Sequence, residues 1–272
     1  IKLLSKDNIP IKILNRYDYE YSNDMDKSYK LMKYYSKLPN IQIVNGDINN
    51  LDSLIYLLKD CDTCLSLQGT NRITRFTDIF NIKKVLSHPI NINYYGIKNL
   101  LYAANITNTK HIIRISGNGE NPWKLITIIM NTFGSMNKAW NYAGECELRN
   151  NYKLYTNISY TIIRPGIMVK KLKESLEIKD NGNYLPITKV SYNDIANLCI
   201  SCINNNDLKN TTLTVMSSKK KKLIDKVINI NKDNRLFPNK RKNINLHYIL
   251  SYVFIFFILI LFKNIYYFAF HI

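Results

Sequence analysis

The 272-residue sequence is short of several features, and each shortage excludes a class of protein. Its five cysteines make no even set and no secretory signal is visible, which argues against a disulfide-stapled secreted domain and favours a reducing compartment. Its nine glycines include no G-x-G-x-x-G loop of the kind that cradles a phosphate. The four histidines have no partner at metal-ligand spacing, and no internal repeat is present.

Two cysteine pairs have the spacing of zinc half-sites, Cys61 with Cys64 and Cys199 with Cys202. The first pair falls across a helix-to-strand junction, and the second lies within an apolar helical pattern. Free cysteine is commonly a small buried apolar side chain. We therefore interpret both pairs as packing residues and predict no metal site.

Acidic residues are also few. The sequence has 20 aspartates and glutamates against 38 lysines and arginines, which gives a formal charge of +18. From residue 219 onward, eleven basic residues face only Asp225 and Asp233. A basic segment suggests nucleic acid, anionic lipid or a phosphate-bearing ligand. No aromatic platform or groove-reading helix accompanies the charge, so nucleic acid is the least favoured partner.

The hydrophobic pattern alternates between strands and helices with short connections. We predict strands at residues 9–15, 41–44, 63–67, 112–115, 158–163 and 211–216, and helices at 24–38, 51–58, 91–104 and 190–203. Residues 71–87 and the polar segment 170–182 are predicted to be loop or surface excursions. Because right-handed crossovers leave few other arrangements, the pattern predicts an α/β fold with a doubly wound parallel sheet in a body that ends near residue 218.

The stretch from residue 134 to residue 166 is the centre of this pattern. Its first part has apolar residues at helical spacing, and its second part is a strand with no polar face that stops at Arg164-Pro165-Gly166. Ligands in open α/β sheets bind beyond the carboxyl ends of the strands. The loop at Pro165 and Gly166 is therefore a candidate part of a ligand site.

Six segments in register resemble the NmrA-like, atypical branch of the short-chain dehydrogenase/reductases over about residues 1–217. The resemblance implies a Rossmann-like fold that holds NAD(P). The first strand and its glycine-rich phosphate loop would precede Ile1, so we expect the Rossmann-like fold to be N-terminally truncated. The six segments are Asn45-Gly46-Asp47, Gln68-Gly69-Thr70, the run from Asn93 to Leu101, Arg114-Ile115-Ser116-Gly117, the run from Tyr160 to Gly166, and the run from Val190 to Ala196.

The resemblance also implies which residues contact the dinucleotide. Asp47 would lie against the adenine, and the loop after residue 66 beneath the ribose and pyrophosphate. Arg16 stands where a guanidinium pairs with a 2′-phosphate, which favours NADP and leaves NAD open. The full cofactor-binding set is Arg16, Asp47, Ile48, Leu67, Gly69, Thr70, Ser116, Pro165 and Gly166.

The catalytic pair of the wider superfamily is altered. Classical members use a tyrosine with a lysine four residues later, but Tyr142 is followed at that interval by Cys146. Lys138 lies one helical turn before Tyr142, so Ser116, Tyr142 and Lys138 are the candidate catalytic set; the alternative is that Tyr142 packs and Lys138 is solvated. The resemblance thus implies an NAD(P)-dependent oxidoreductase acting on a small or lipid-phase substrate, and the alternative is a non-catalytic dinucleotide sensor or assembly scaffold.

The carboxyl-terminal tail is strongly apolar. Residues 246–262 carry no charge and are followed, after Lys263, by a second aromatic-rich run. We predict a basic linker at residues 219–245 and a transmembrane helix at residues 246–270, with a buried helix as the alternative. The lysines and arginines before the helix predict that the Rossmann body stays on the cytosolic, or stromal-equivalent, side of the membrane.

Overall fold

The computed structural model has a layered α/β architecture. It describes residues 1, 4–5, 8–16, 25–70, 72–75, 78, 85–117, 121–151, 157–172, 175–179, 188–218, 232–233 and 240–270. The α-helices are α1 (Met25–Tyr35), α2 (Leu51–Leu58), α3 (Gly96–Ile106), α4 (Leu125–Phe133), α5 (Asn137–Asn151), α6 (Tyr192–Asn204) and α7 (Lys240–Phe270). The strands are β1 (Ile11–Asn15), β2 (Ile41–Asn45), β3 (Thr63–Ser66), β4 (His111–Ile115), β5 (Ser159–Pro165), β6 (Ile167–Val169), β7 (Ser175–Lys179), β8 (Lys189–Ser191) and β9 (Thr211–Ser218).

The sheet is mostly parallel, as the sequence predicts. Strands β1 and β2 pair in parallel, and a second sheet has the order β3-β4-β5-β9-β7. In that sheet β3, β4, β5 and β9 run parallel, whereas β7 runs antiparallel to β9. A short parallel pair, β6 with β8, completes the described strands. The α/β fold with a parallel-dominated sheet and a carboxyl-terminal apolar helix is therefore confirmed.

Both faces of the larger sheet are buried, because successive side chains of its central strands point to opposite cores. Ile112 of β4 packs in a core with α2 and α3, and its neighbour Ile113 packs in a second core with α6. Cys64 belongs to the first core, and Cys199 and Cys202 to the second. Burial raises the pKa of Cys64 and of Cys202 to about 12, so these thiols behave as apolar packing groups.

Two regions differ in detail from the sequence prediction. The helix predicted from residue 91 begins as a π-helical turn, Ile90–Tyr95, and continues as α3. Within the predicted excursion at 170–182, residues 175–179 form β7, whose Leu176 and Ile178 pack in the second core. Alternating apolar residues at an antiparallel edge explain why this polar-looking segment is a strand. The predicted loop at residues 71–87 lies partly outside the described residues.

Helix α7 has two distinct parts. In its first turns Asn243, His247 and Ser251 are buried, because this part packs against α4 and α5. From Tyr252 onward most of its large apolar side chains are exposed, including Phe256 and Phe262. Among the described helices it alone is long and apolar enough to cross a membrane, over residues 243–269.

Candidate functional site

The carboxyl ends of β1 and β2 lie side by side, since Asn15 is paired in register with Asn45. Immediately beyond them, Arg16 Nε lies 2.8 Å from Asp47 Oδ2. Asp47 Oδ1 also accepts hydrogen bonds from the backbone and side chain of Asn49. The two predicted adenosine-side residues thus form a half-buried ion pair with each other.

Ile48 occupies a packing position. It is 9% exposed and belongs to the first core. A Cβ on Gly96 would stand 2.9 Å from Ile48 Cγ1, so α3 approaches this loop closely because residue 96 is glycine. Asn99 of α3 donates a hydrogen bond to the Ile48 carbonyl. The structure therefore makes Ile48 the contact between the β2 loop and α3.

The loop after β3 is open to solvent. Leu67 is 56% exposed, and apart from the two chain neighbours of Gly69 no atom of the described residues lies within 4 Å of the place that a Cβ on Gly69 would take. Thr70 is held from two sides, because its hydroxyl donates to the Ser87 carbonyl and its own carbonyl accepts from Asn137 of α5. A fixed backbone with free space above a glycine can admit a flat ligand close to the chain.

A buried polar cluster lies beneath these strand ends. Arg114 of β4 is fully buried and donates to Ser66 and to Asn141. Burial lowers the pKa of Arg114 to about 10, although the nearby negative charge of Glu145 opposes this shift. The amide of Asn93 donates to Asn137, which joins the π-helical turn to α5. This cluster ties the ends of β3 and β4 to α5.

Ser116, predicted to be catalytic, is bound to a residue that the sequence did not single out. Its hydroxyl donates to Glu145 Oε1 of α5 at 2.5 Å. Glu145 also accepts from Arg164 of β5 and from Arg149 one turn further along α5, and all three side chains are at most 2% exposed. Asp233 extends the chain of charges, with its Oδ2 lying 3.6 Å from Arg149 Nε.

This network controls the protonation of Glu145. Burial alone would raise the pKa of Glu145, but the charges of Arg164 and Arg149, with hydrogen bonds from Arg164 and Ser116, lower it to about 2. Glu145 is therefore a carboxylate at neutral pH. It accepts the hydrogen bond from the Ser116 hydroxyl, so this hydroxyl points towards α5.

Lys138 and Tyr142 lie on α5 in different surroundings. A Cβ on Gly117 would stand 3.1 Å from Lys138 Nζ, so the lysine reaches the loop that follows Ser116. Burial lowers the pKa of Lys138, and the charge of Glu145 opposes that shift. Tyr142 is only 2% exposed. The structure thus brings Lys138 to the Ser116 loop and places Tyr142 inside the body.

The loop at the end of β5 has a structural constraint of its own. Pro165 is buried as the last residue of β5. Gly166 donates its backbone N–H to the Val215 carbonyl, and a Cβ on it would stand 2.1 Å from the Thr188 carbonyl oxygen. Glycine is therefore required here by the approach of the chain leading to β8.

Sequence reasoning missed Glu145 and its arginine partners as functional residues. The available signal was the presence of charged residues in segments that are otherwise buried, namely Glu145 and Arg149 in α5 and Arg164 in β5. Beyond Gly117, residues 118–120 lie outside the described residues. Within the described ranges no group of three His, Cys, Asp or Glu side chains could hold a metal ion.

Comparisons with known proteins agree with this architecture. A family model described as NAD(P)H-binding matches residues 27–206, which is well over half of the chain. The pea (Pisum sativum) protein TIC 62, chloroplastic, is 30% identical over 128 residues; these are 47% of this chain and only 21% of the pea protein.

Solved structures share the fold at low identity. A short-chain dehydrogenase/reductase from Veillonella parvula DSM 2008 superimposes with a TM-score of 0.55 at 11% identity, covering 79% of this chain and 86% of its own. A wide-type enzyme of the same organism, in complex with NADP, gives a TM-score of 0.52 at 11% identity, covering 76% and 82%. By its family match, this chain belongs to the NAD(P)H-binding family, and its fold is that of the short-chain dehydrogenase/reductase structures it resembles.

Proposed function

We propose that this protein is an NAD(P)-dependent oxidoreductase that α7 anchors to a membrane and that acts on a small or lipid-phase substrate. The observation that carries the proposal is the open backbone at the end of β3. Gly69 has free space above it and Leu67 beside it is exposed. Both lie at the sheet edge where dinucleotides bind in this type of fold.

The described residues fit a dinucleotide along that edge. Asn99 ties the β2 loop to α3, and Asn137 ties the β3 loop to α5, so each loop is held by a helix of the body. Among the described residues, no group pairs with the buried Nε2 of Gln68 or the buried Oδ1 of Asn93. Such groups can bind the hydroxyl and amide groups of a ribose or nicotinamide.

The ends of this edge differ in chemistry, which suggests the direction of the cofactor. Arg16 and Asp47 offer charged groups for a phosphorylated ribose and an adenine, and this favours NADP. Ser116 and Lys138 flank the loop proposed to border the nicotinamide, with Pro165 and Gly166 on the next strand. The bound cofactor would supply hydride transfer. Lys138, whose pKa is lowered by burial, is the proposed proton donor.

The direct test is a titration of the full chain, in mild detergent, with NADPH and with NADH. Saturable binding followed by nicotinamide fluorescence is the expected result. Failure of both nucleotides to bind would overturn the proposal. If binding is observed, a panel of aldehyde, quinone and enone substrates, assayed by loss of NADPH absorbance, would identify the substrate class.

The second candidate is a non-catalytic dinucleotide sensor or scaffold. The burial of Tyr142 and the engagement of the Ser116 hydroxyl by Glu145 favour it, because neither group is presented to a substrate. If Tyr142→Phe and Lys138→Ala leave every activity intact while Gly69→Trp removes it, the sensor function is supported. Loss of turnover in Lys138→Ala with cofactor binding retained would instead support the enzyme.

Membrane anchoring rests on α7 and on the charges before it. Lys240, Arg241 and Lys242 immediately precede the apolar run, which favours a body on the cytosolic or stromal-equivalent side. Because the pea relative is chloroplastic, a plastid membrane is the first location to examine. We expect the full chain to resist carbonate extraction. We also expect protease added outside the vesicles to digest the body. Release by carbonate would contradict the anchor.

A further inference from the structure

Helix α4 has its polar side inward and its apolar side outward. Leu125, Met130 and Phe133 are between 42% and 63% exposed. An amphipathic helix on the surface of a soluble domain has the opposite orientation. The buried residues of α4 are all polar: Thr127, Asn131 and Thr132.

Neighbouring residues extend the apolar side of α4. Trp123, just before the helix, is 69% exposed. Ile73 is 79% exposed and is held beside the end of α4, because the backbone N–H of Thr74 donates to the Phe133 carbonyl. We call Ile73, Trp123, Leu125, Met130 and Phe133 the α4 face. Contiguous exposed apolar surface of this kind marks a contact with a membrane or another apolar partner.

The α4 face adjoins the point at which α7 leaves the body. Helix α4 packs directly on the first turns of α7, and Asn131 is hydrogen-bonded to His247. Beyond this contact α7 exposes Ile249, and from Tyr252 onward it exposes most of its large apolar side chains. A helix with its side chains is about 10–12 Å wide. If α7 enters a bilayer near Tyr252, α4 lies within one helix diameter of the headgroups.

We propose that the α4 face is a lipid-binding surface that rests in the headgroup region of the membrane into which α7 inserts. This proposal builds on the proposed anchoring by α7. The chemistry of the surface fits a bilayer interface: Trp123 supplies an indole with one polar group, and Lys124 a cation at the level of anionic headgroups.

Lipid is a better occupant of the α4 face than a protein partner, because α4 lies beside the helix that is proposed to enter the membrane. Helix α4 packs on the first turns of α7, and the apolar side chains that α7 exposes beyond this contact must be covered by lipid if α7 spans the bilayer. The connection from α4 to α5 is also tight, since Ser135 and Met136 have φ angles of 51° and 59°. Contact of the α4 face with lipid would therefore hold α5, which carries Lys138, close to the membrane surface.

The protein contains two tryptophans, and this allows a direct test. The full chain and its Trp123→Phe variant are inserted into phosphatidylcholine–phosphatidylglycerol vesicles, and the difference between their emission spectra belongs to Trp123. Trp140 is 9% exposed and remains unchanged in both. We expect the Trp123 emission to shift to shorter wavelength, to be quenched by brominated lipid and to be protected from acrylamide. If Trp123 in the vesicles emits at the wavelength of a tryptophan exposed to water, the proposal is contradicted.

Two control variants in the Trp123→Phe background separate the α4 face from the anchor. Phe257→Trp reports on an exposed position of α7, and Tyr56→Trp on an exposed position of α2. We expect brominated lipid to quench the first and not the second. If Trp at position 257 is quenched but Trp123 is not, the lipid-binding surface is disproved and the anchor stands. If neither is quenched, the anchor itself fails.

Protection of Trp123 from acrylamide without quenching by brominated lipid would also overturn the proposal. That result would show that a second copy of this chain or another protein covers the α4 face. Quenching of Trp at position 56 to the same extent as Trp123 would contradict it as well, because contact with lipid would then not be specific to one face.

Discussion

The side chain of Asn131 is hydrogen-bonded to the ring of His247, with 2.9 Å between Nδ2 and Nδ1. Its Oδ1 accepts from the backbone N–H groups of Lys138 and Ala139, which are in the first turn of α5. A single buried amide therefore joins the proposed membrane helix to the helix that carries the candidate catalytic lysine. Position and orientation of α5 depend on this contact, because helix N-termini need acceptors for their free N–H groups.

We predict that Asn131→Ala destabilises the protein by about 1–2 kcal/mol, the usual effect of losing a helix cap. Asn131→Asp is the matched control, because it keeps the acceptor for α5 and favours the positive end of the helix dipole while removing the donor. Denaturant unfolding of the full chain in detergent, followed by far-UV circular dichroism, measures both. Equal loss in the two variants would show that the contact with His247, and not the cap, is the important one.

Removal of Glu145 should have a larger effect. Glu145→Gln leaves the buried guanidinium groups of Arg149 and Arg164 without their shared carboxylate, and such losses cost about 3–5 kcal/mol. Asp62→Asn is the control, because Asp62 pairs with Lys110 at 3.5 Å on the surface, where both side chains are more than 70% exposed. That change should cost less than about 1 kcal/mol. Equal unfolding midpoints for the two variants would contradict the prediction.

The same carboxylate predicts a dependence of stability on pH. The pKa of Glu145 is lowered in the folded protein from its ordinary value of 4.5 to about 2. Its stabilisation is therefore fully present above pH 4.5 and is lost as the pH falls from 4.5 towards 2. The difference in unfolding free energy between the wild type and Glu145→Gln should shrink over that range. A difference that stays constant with pH would show that Glu145 stabilises through packing alone.

The fold was largely predictable from the sequence because its central strands have an unmistakable pattern. The run from Tyr160 to Ile163 has no polar face, and the structure buries it between two cores. Helix α4 was not predicted, because six of its nine residues are apolar and the three polar ones lie on its inner side. Periodicity identifies a helix through a polar outer face, and α4 lacks that face.

The strand-end positions of the candidate site residues were predictable from the sequence, but the contacts that these residues make were not. Arg16, Asp47, Gly69, Ser116 and Gly166 follow strand ends, so position in the sequence was sufficient to place them. That Arg16 pairs with Asp47, or that Ser116 donates to Glu145, depends on the approach of separate elements. Sequence spacing within one helix carries no information on such contacts. The family resemblance therefore supplied roles, and the structure supplied the partners.

Gly69 and Gly166 should respond differently to substitution. A side chain on Gly69 meets free space, so Gly69→Trp should leave stability within about 0.5 kcal/mol. It should nevertheless block the proposed dinucleotide and lower NADPH affinity more than about tenfold, or about 1.4 kcal/mol. Gly69→Ala, which adds only a Cβ, is the small-side-chain control and should bind normally. Gly166→Ala should instead destabilise the fold, because its Cβ would meet the Thr188 carbonyl at 2.1 Å. Normal NADPH binding by Gly69→Trp would place the cofactor elsewhere.

Arg16 is predicted to select NADP over NAD. Hydrogen bonds to charged groups contribute about 1.5–3 kcal/mol, so Arg16→Ala should weaken NADPH binding roughly ten- to a hundredfold and leave NADH binding unchanged. Because Arg16 pairs with Asp47, the variant also removes a partner of that carboxylate. Asp47→Asn is therefore the control: it breaks the same ion pair and keeps the guanidinium. Titration of both variants with both nucleotides separates the two effects. If Arg16→Ala weakens NADPH and NADH equally, the arginine supports the adenosine loop and does not read the 2′-phosphate.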